Sequence, residues 1–222
     1  MGAVGTLQGK SSQLTEDNQI KLLAEMEKAS LRLNHQVENL LNMSRLESGF
    51  IQPKFDWCDV SELVYNVVES LSEELISHKV TIQRAEYLPL FKLDYGLTEQ
   101  IIYNLLFNAA QYTPKDAGIT IIIEYRPEVD FELHEGNPNT CVIAISDDGA
   151  GFPENEIEKV FDKFYRLQHS KTGGTGLGLS IVKGFAEAQG GTVTLNNKDE
   201  GGAVFKVLFP AEVIQTKNIG NE

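Results

Sequence analysis

The chain has little with which to cross-link itself, span a bilayer or bind a polyanion. Its two cysteines, Cys58 and Cys141, among 222 residues make no disulfide framework and no metal-ligand pattern, which points to a reducing compartment. No signal peptide precedes residue 20, and no apolar run approaches the roughly eighteen residues that cross a bilayer. The chain is therefore expected to be soluble and cytoplasmic, with any membrane anchor left to missing parts of a parent protein. Positive charge is also scarce. Lys and Arg number 19 against 32 Asp and Glu, for a net charge of −13, so there is no basic footprint for nucleic acid or an anionic membrane. The first fifty residues hold five basic and six acidic side chains, so the acidity belongs to the remainder. A nucleotide held there needs local compensation from a divalent cation and a few placed Lys or Arg.

Within these bounds two units are expected: a helical region over residues 1–52 and a larger domain over 53–222. Residues 1–10 read as the tail of an earlier element. From Thr15 to about Ser48 the pattern is helical, with Glu16 and Asp17 in the first turn and Gly49 past the end. Leu23, Met26, Ser30, Leu33, Val37, Leu40 and Ser44 step by three and four, which makes a bundle seam. One amphipathic helix cannot bury its stripe alone, so self-association through this helix, a homodimer, is implied.

Pro53 and Trp57 mark a linker, after which Asp59 or Ser61 caps a helix reaching about residue 77. Strand-like runs are expected at 80–84 and 88–93, a helix at 97–111, and strands at 119–125 and 141–146 around a polar hairpin tip at 126–140. A further helix to about 188 leads to two closing strands, 192–196 and 203–209, and a frayed tail after Pro210. Helices interspersed with antiparallel hairpins predict an α+β fold, a two-layer α/β sandwich with helices on one face of a mixed sheet.

Four stretches carry chemistry. In Gly173-Gly174-Thr175-Gly176-Leu177-Gly178-Leu179-Ser180, glycines permit close backbone approach and the helix start behind them offers unpaired N–H groups and a positive dipole end, a place to hold phosphate. The same pattern also serves plain chain reversal. Asn104 and Asn108 lie one turn apart on one helix face; their neutral oxygens suit a hard cation that is already bound to phosphate, or else they are only solvated. The run Asp147-Asp148-Gly149-Ala150-Gly151-Phe152 ends a strand in an Asp-x-Gly-x-Gly turn. A carboxylate there accepts from the adenine 6-amino group and rejects guanine, which has an acceptor at that position; an ordinary Asp-Gly turn is the alternative. Val160-Phe161-Asp162-Lys163-Phe164-Tyr165-Arg166 offers anchoring aromatics and two cations within reach of phosphate.

In this order and spacing the four stretches closely resemble the ATP-binding domain of the sensor histidine kinases of two-component signalling, a Bergerat-type ATP-binding fold. Residues 104–114 resemble the family's asparagine box, 147–151 its Asp-Gly box, 161–166 its phenylalanine box and 174–179 its glycine-rich lid. Residues 40–49 resemble the end of its second dimerisation helix, and the Trp57 linker is similar to that of the potassium-sensor subgroup. The resemblance implies ATP and Mg²⁺ as cofactors and the receiver domain of a response regulator as partner. By it, Asn108 holds Mg²⁺ with Asn104 assisting, Tyr112 lies against adenine, and Asp147 binds the adenine amine within the turn of Gly149 and Gly151. Gly174, Thr175, Gly176, Leu177 and Gly178 wrap the phosphates, with Lys163 and Arg166 as cations.

The chain departs from the family at Gln111, where a phosphate-reaching Lys is usual; Lys163, Arg166 or Lys171 stands in. Related ATPases and chaperones carry a catalytic Glu one turn before the Mg²⁺ Asn, and here that position is Asn104, which argues against water activation. The box with the phosphoacceptor His and its acidic neighbour is not found, and none of His35, His78, His134 and His169 matches it. No catalytic residue is therefore assigned, and the chain is not expected to phosphorylate itself. The competing classes are a GHL-type ATPase or ATP-driven clamp, and a non-catalytic dimerising nucleotide-binding module.

Overall fold

The structure is a computed structural model that describes residues 15–127, 139–167 and 174–214. Its contacts divide the chain into two compact units, Met1–Ser44 and Arg45–Glu222. Helix α1, Glu16–Glu47, accounts for the described part of the first. Of the residues on the three-and-four stripe, Leu23, Leu33, Val37 and Leu40 are 49–59% exposed and Met26 is half-buried.

In the second unit, β1 (Asp56–Cys58) leads into α2 (Val60–Ser70) and the single turn α3 (Ser72–Leu75). Next come β2 (Lys79–Arg84), β3 (Leu90–Leu93), α4 (Tyr95–Tyr112), β4 (Gly118–Pro127) and β5 (Asn139–Asp147). The described chain then passes two 3₁₀ turns and continues with α5 (Gly178–Ala188), β6 (Thr192–Asn197), β7 (Ala203–Pro210) and β8 (Val213–Ile214). Five strands form a mixed sheet in the order β2-β4-β5-β7-β6, parallel only between β2 and β4. The α+β sandwich expected from the alternation of elements is what forms.

Register places Ile119, Ile121 and Ile123 of β4 opposite Asp147, Ile145 and Ile143 of β5, and the last two opposite Phe205 and Val207 of β7. Directly paired residues share a face, and the apolar members of this row are all at most 5% exposed. The period of two thus carries Asp147 onto the same face as the core row, at its end. Ile101, Ile102, Leu105, Leu106 and Ala109 of α4 and Ile181, Val182 and Phe185 of α5 are buried as well.

The two helices run antiparallel, and one buried polar residue fixes their far ends. Gln189, 4% exposed, accepts through Oε1 from the Asp94 backbone N–H at 2.8 Å and from Thr98 Oγ1 at 3.3 Å. Asp94 in turn caps α4, Oδ1 accepting from Leu97 N–H at 2.9 Å. That cap starts α4 two residues before the expected position. Asp59, one of the two expected caps, accepts from Ser61 and Glu62 N–H at 2.9 and 3.1 Å, but α2 stops at Ser70 rather than near 77.

Two expectations need correction. Part of the linker at 53–57 is strand, and the tail beyond Pro210 is ordered through Ile214: β1 and β8 pair with the two edges of β3 in a second, three-stranded sheet. Much of the hairpin tip lies outside the described residues.

Candidate functional site

Beyond the Gln189 lock, the opposite ends of α4 and α5 bring the asparagines and glycines together. Asn104, Asn108 and Tyr112 climb one face of α4 at i, i+4 and i+8, passing from 1% exposed through half-buried to 48% exposed. Asn104 Nδ2 donates to the Gln100 carbonyl at 2.9 Å, one turn back, so the carboxamide oxygen is turned outward from its own helix. A Cβ added to Gly178, the first residue of α5, would stand 3.3 Å from Asn104 Oδ1 and 3.7 Å from Asn108 Nδ2. One at Gly174 would stand 3.2 Å from the Tyr112 hydroxyl. The glycine stretch therefore faces the asparagine ladder, where a side chain would fill the space.

Gly176 adopts φ +71°, and a Cβ there would meet backbone atoms of Phe164 and Tyr165 at 2.7–2.9 Å. Only glycine fits. Leu177 caps α5 without a side-chain hydrogen bond, and Thr175 Oγ1 accepts from Leu177 N–H at 3.4 Å. The N-cap residue itself supplies no side-chain hydrogen bond, and a glycine-rich helix start of this kind is where backbone N–H groups hold an anion. Of the flanking residues, 168–173 lie outside the described residues, and with them Lys171, His169 and Gly173.

Asp147, at the end of β5, turns back on its own loop: Oδ1 accepts from Gly149 N–H at 2.8 Å. Burial holds its carboxyl above the ordinary carboxylate range, and the backbone N–H groups of Gly149 and Ala203 together with Lys198 pull the other way. Asp148 is different. Its Oδ1 meets Lys198 Nζ at 2.5 Å and its Oδ2 accepts from Gly118 N–H at 3.1 Å, so chiefly the Lys198 bond holds its carboxyl low. Two adjacent aspartates thus divide: one inward and reluctant to ionise, one outward and ion-paired. Gly151 takes φ +72° and, with Gly149, completes the turn.

In the phenylalanine-rich stretch, Phe161 packs edge-on against Phe205 at 6.4 Å, whereas Phe164 is 66% exposed at φ +62°. Lys163 Nζ pairs with Glu47 Oε1 at 2.8 Å, and Arg166 is exposed. The aromatic anchor expected here is present in Phe161. The two cations bracket Phe164 and Tyr165, whose backbone meets Gly176, and the carboxylate that Lys163 faces belongs to α1.

Sequence reasoning passed over two residues. Asn197 and Lys198, read only as a turn between the closing strands, both bond to the Asp147–Phe152 segment. Their partners lie 45 and 50 positions away, and only the pair of positive-φ glycines that follow, Gly201 and Gly202, hints that this turn is shaped to approach another backbone.

Comparison with known proteins agrees with this arrangement. The chain is 32% identical over 217 residues to the sensor protein KdpD of Clostridium acetobutylicum, covering 96% of this chain and 23% of that protein. It is 27% identical over 183 residues to the sensor histidine kinase WalK of Bacillus subtilis, covering 81% and 28% respectively. The chain thus spans about a quarter of the length of these relatives. Among solved structures, full-length ShkA in complex with AMPPNP superposes with a TM-score of 0.70 at 23% identity, over 92% of this chain and 41% of that one. The catalytic domain of the histidine kinase ThkA superposes at 0.59 and 24% identity, over 71% and 95%. Both share the fold. Residues 94–213, from the α4 cap to β8 and including Asn104, Asn108, Asp147 and the glycine stretch, match a single family description, and the chain belongs to that family, the histidine kinase-, DNA gyrase B- and HSP90-like ATPases.

Proposed function

We propose that this chain is the ATP-binding catalytic portion of a sensor histidine kinase, moving the γ-phosphoryl group of ATP to a histidine other than the four in its own sequence. The observation that carries the reading is the ladder Asn104, Asn108 and Tyr112 facing Gly174–Gly178, with Asp147 inward at the neighbouring strand end. Asp147 takes the purine 6-amino group, Tyr112 the base, and the glycine backbone and α5 start the phosphates. Lys163, which also pairs with Glu47, and Arg166 add positive charge in a unit whose net charge is negative.

The donors on α4 fit Mg²⁺ in one way only. Among the described residues there is no group of three or more His, Cys, Asp or Glu able to hold a metal ion, so a cation at Asn108, with Asn104 beside it, relies on phosphate oxygens for most of its shell. When bound it neutralises charge on the transferring phosphoryl group. The γ-phosphorus bond to the bridging oxygen breaks as a bond to the imidazole nitrogen forms; ADP leaves and the imidazole gives up its proton. Asn104 at the position of a hydrolytic carboxylate favours transfer over hydrolysis.

Residues 1–52 belong by this reading to the dimerisation region, with α1 pairing across a homodimer, and 53–222 to the catalytic domain. The phosphohistidine then feeds a response-regulator receiver domain. Among the described residues no helix is long and apolar enough to cross a membrane.

The test is calorimetric titration with Mg²⁺-ADP and Mg²⁺-GDP, followed by incubation with γ-labelled ATP and a separately supplied dimerisation domain that carries the acceptor box. Expected are ADP binding, no GDP binding, and acid-labile, base-stable label on the added domain. Equal affinity for the two nucleotides, or release of inorganic phosphate without any acceptor, would overturn the proposal.

A further inference from the structure

The loop that carries Asp147 is gripped from outside by two consecutive residues that the nucleotide reading leaves unused. Asn197 is the last residue of β6 and Lys198 the first of the turn to β7. The Asn197 carboxamide engages both backbone groups of Phe152: Phe152 N–H donates to Oδ1 at 2.8 Å, and Nδ2 donates to the Phe152 carbonyl at 2.7 Å. Nδ2 also reaches Glu154 Oε1 at 2.9 Å. Lys198 holds the other end through Asp148, whose second oxygen is tied to the start of β4 at Gly118. Between the two grips, a Cβ on Gly151 would stand 2.7 Å from Asn197 Oδ1 and 3.2 Å from the Gly202 carbonyl oxygen. The turn and the loop are in backbone contact.

These bonds act on a segment that would otherwise be free to move. Gly149 and Gly151 give it more conformational entropy than any other residue type would, and a hydrogen bond to an exocyclic amine demands a fixed carboxylate direction. Asn197 supplies a strand-like pair of bonds to Phe152. The Lys198 side chain is 29% exposed and that of Asp148 60%, so solvent screens the pair in part and its value to the loop is chiefly geometric. Ordering that is complete before the ligand arrives is not charged against binding.

We propose that Asn197 and Lys198 are positioning residues for base recognition, holding residues 148–152 so that Asp147 meets the purine 6-amino group without reordering. In this role both residues act through the loop and not on the nucleotide. This inference rests on the nucleotide reading above.

The test compares the wild-type chain with Lys198→Met, Asn197→Ala and the control Lys92→Met. Lys92 pairs with Glu212 on the three-stranded sheet, so the control removes the same charge elsewhere. Each protein is titrated with ADP and with inosine diphosphate, which carries a carbonyl at position 6, and ADP binding is repeated down a pH series. Lys198→Met and Asn197→Ala are expected to weaken ADP about tenfold, as for a misdirected charged hydrogen bond, and inosine diphosphate hardly at all, so the preference between the two narrows. In Lys198→Met the acid fall-off of ADP binding also moves to higher pH. A cation that favours ionised Asp147 is gone, while Asp148, which disfavours it, stays. Lys92→Met should change neither property.

An equal loss for both nucleotides with an unmoved acid midpoint would overturn the inference and leave the pair a purely structural role. Should Asn197→Ala fail to fold by circular dichroism, Lys198→Met decides alone, because methionine keeps the length of the side chain and removes its charge. A wild-type chain that binds neither nucleotide would overturn the nucleotide reading and this inference together. Wild-type ADP binding with unaltered variants would overturn only this inference.

Discussion

Gly178 stands against Asn104: a Cβ on the glycine would lie 3.3 Å from the carboxamide oxygen, and that oxygen belongs to a side chain only 1% exposed and bonded back to Gln100. A contact this tight cannot relax at the asparagine, so the added methyl must push the start of α5 away from α4. Alanine is also the better helix former, by less at this first helical position than the ~1 kcal/mol of a helix interior, and that gain partly offsets the contact in stability. It does nothing for site geometry. Gly178→Ala is expected to leave the melting temperature within a few degrees while weakening Mg²⁺-dependent nucleotide binding about tenfold. Calorimetry with and without Mg²⁺, beside a thermal melt, checks both halves.

Gly176 and Gly190 separate two costs that usually come mixed. They share nearly the same left-handed backbone, φ +71° and +72°, but a Cβ at Gly176 would meet Phe164 and Tyr165 backbone at 2.7–2.9 Å whereas one at Gly190 meets nothing within 4 Å. Gly190→Ala should cost only the left-handed penalty, about 1–2 kcal/mol. Gly176→Ala should cost the same and also detach the glycine stretch from the Phe164–Tyr165 backbone, abolishing phosphate-dependent affinity. Denaturant midpoints for the two variants, with ATP titrations, measure the difference; equal effects would mean that the Phe164 contact contributes nothing.

Much of this was readable from local pattern alone. The asparagine ladder needs only the 3.6-residue period of one helix, and the alternating Ile119, Ile121 and Ile123 announce a half-buried strand. Where long-range partners decide, the sequence is silent. Asp56-Trp57-Cys58 and Val213-Ile214 are too short to read as strands and exist because β3 offers two edges. Asn197 and Lys198 read as ordinary turn residues, since nothing near them in sequence shows that they bond to Phe152 and Asp148. Lys163 reads as a free cation until Glu47, 116 positions earlier, is found beside it. The inward aim of Asp147 lies between these cases: it follows from period two once the strand is known to run to residue 147.

Asp147 should make the nucleotide-free protein less stable as pH rises. Its carboxyl is held above the ordinary range by burial. The stability it contributes is therefore complete below the ordinary carboxylate pKa and is lost as pH rises through the raised value. Asn mimics the protonated form. Asp147→Asn is expected to stabilise the empty protein near neutral pH and to remove its preference for adenine, the pattern of a site that gives up stability for function. A donor from the ligand favours the ionised form, so ADP binding at acid pH should release protons. Calorimetry in buffers of different ionisation enthalpy reads that release directly, and buffer-independent heats would refute it.

The two thiols should be silent in the native protein. Burial, with Asp59 and Glu62 nearby, pushes the Cys58 thiol up to about 12, and burial raises Cys141 as well; the thiols are 3% and 0% exposed. Because the thiolate is the reactive species, neither should react with Ellman's reagent at pH 8 until the chain opens. The openings differ. Cys58 ends a three-residue strand paired only with β3, whereas Cys141 lies in β5 between β4 and β7, paired with Tyr125 and Phe209. Cys58 should label through local opening of the small sheet, at a rate nearly independent of low denaturant. Cys141 should label only with global unfolding and follow the full denaturant dependence of stability. Single-thiol variants, Cys58→Ser and Cys141→Ser, assign each rate, and fast labelling at Cys141 in native buffer would show that the central sheet is not the most protected part of this fold.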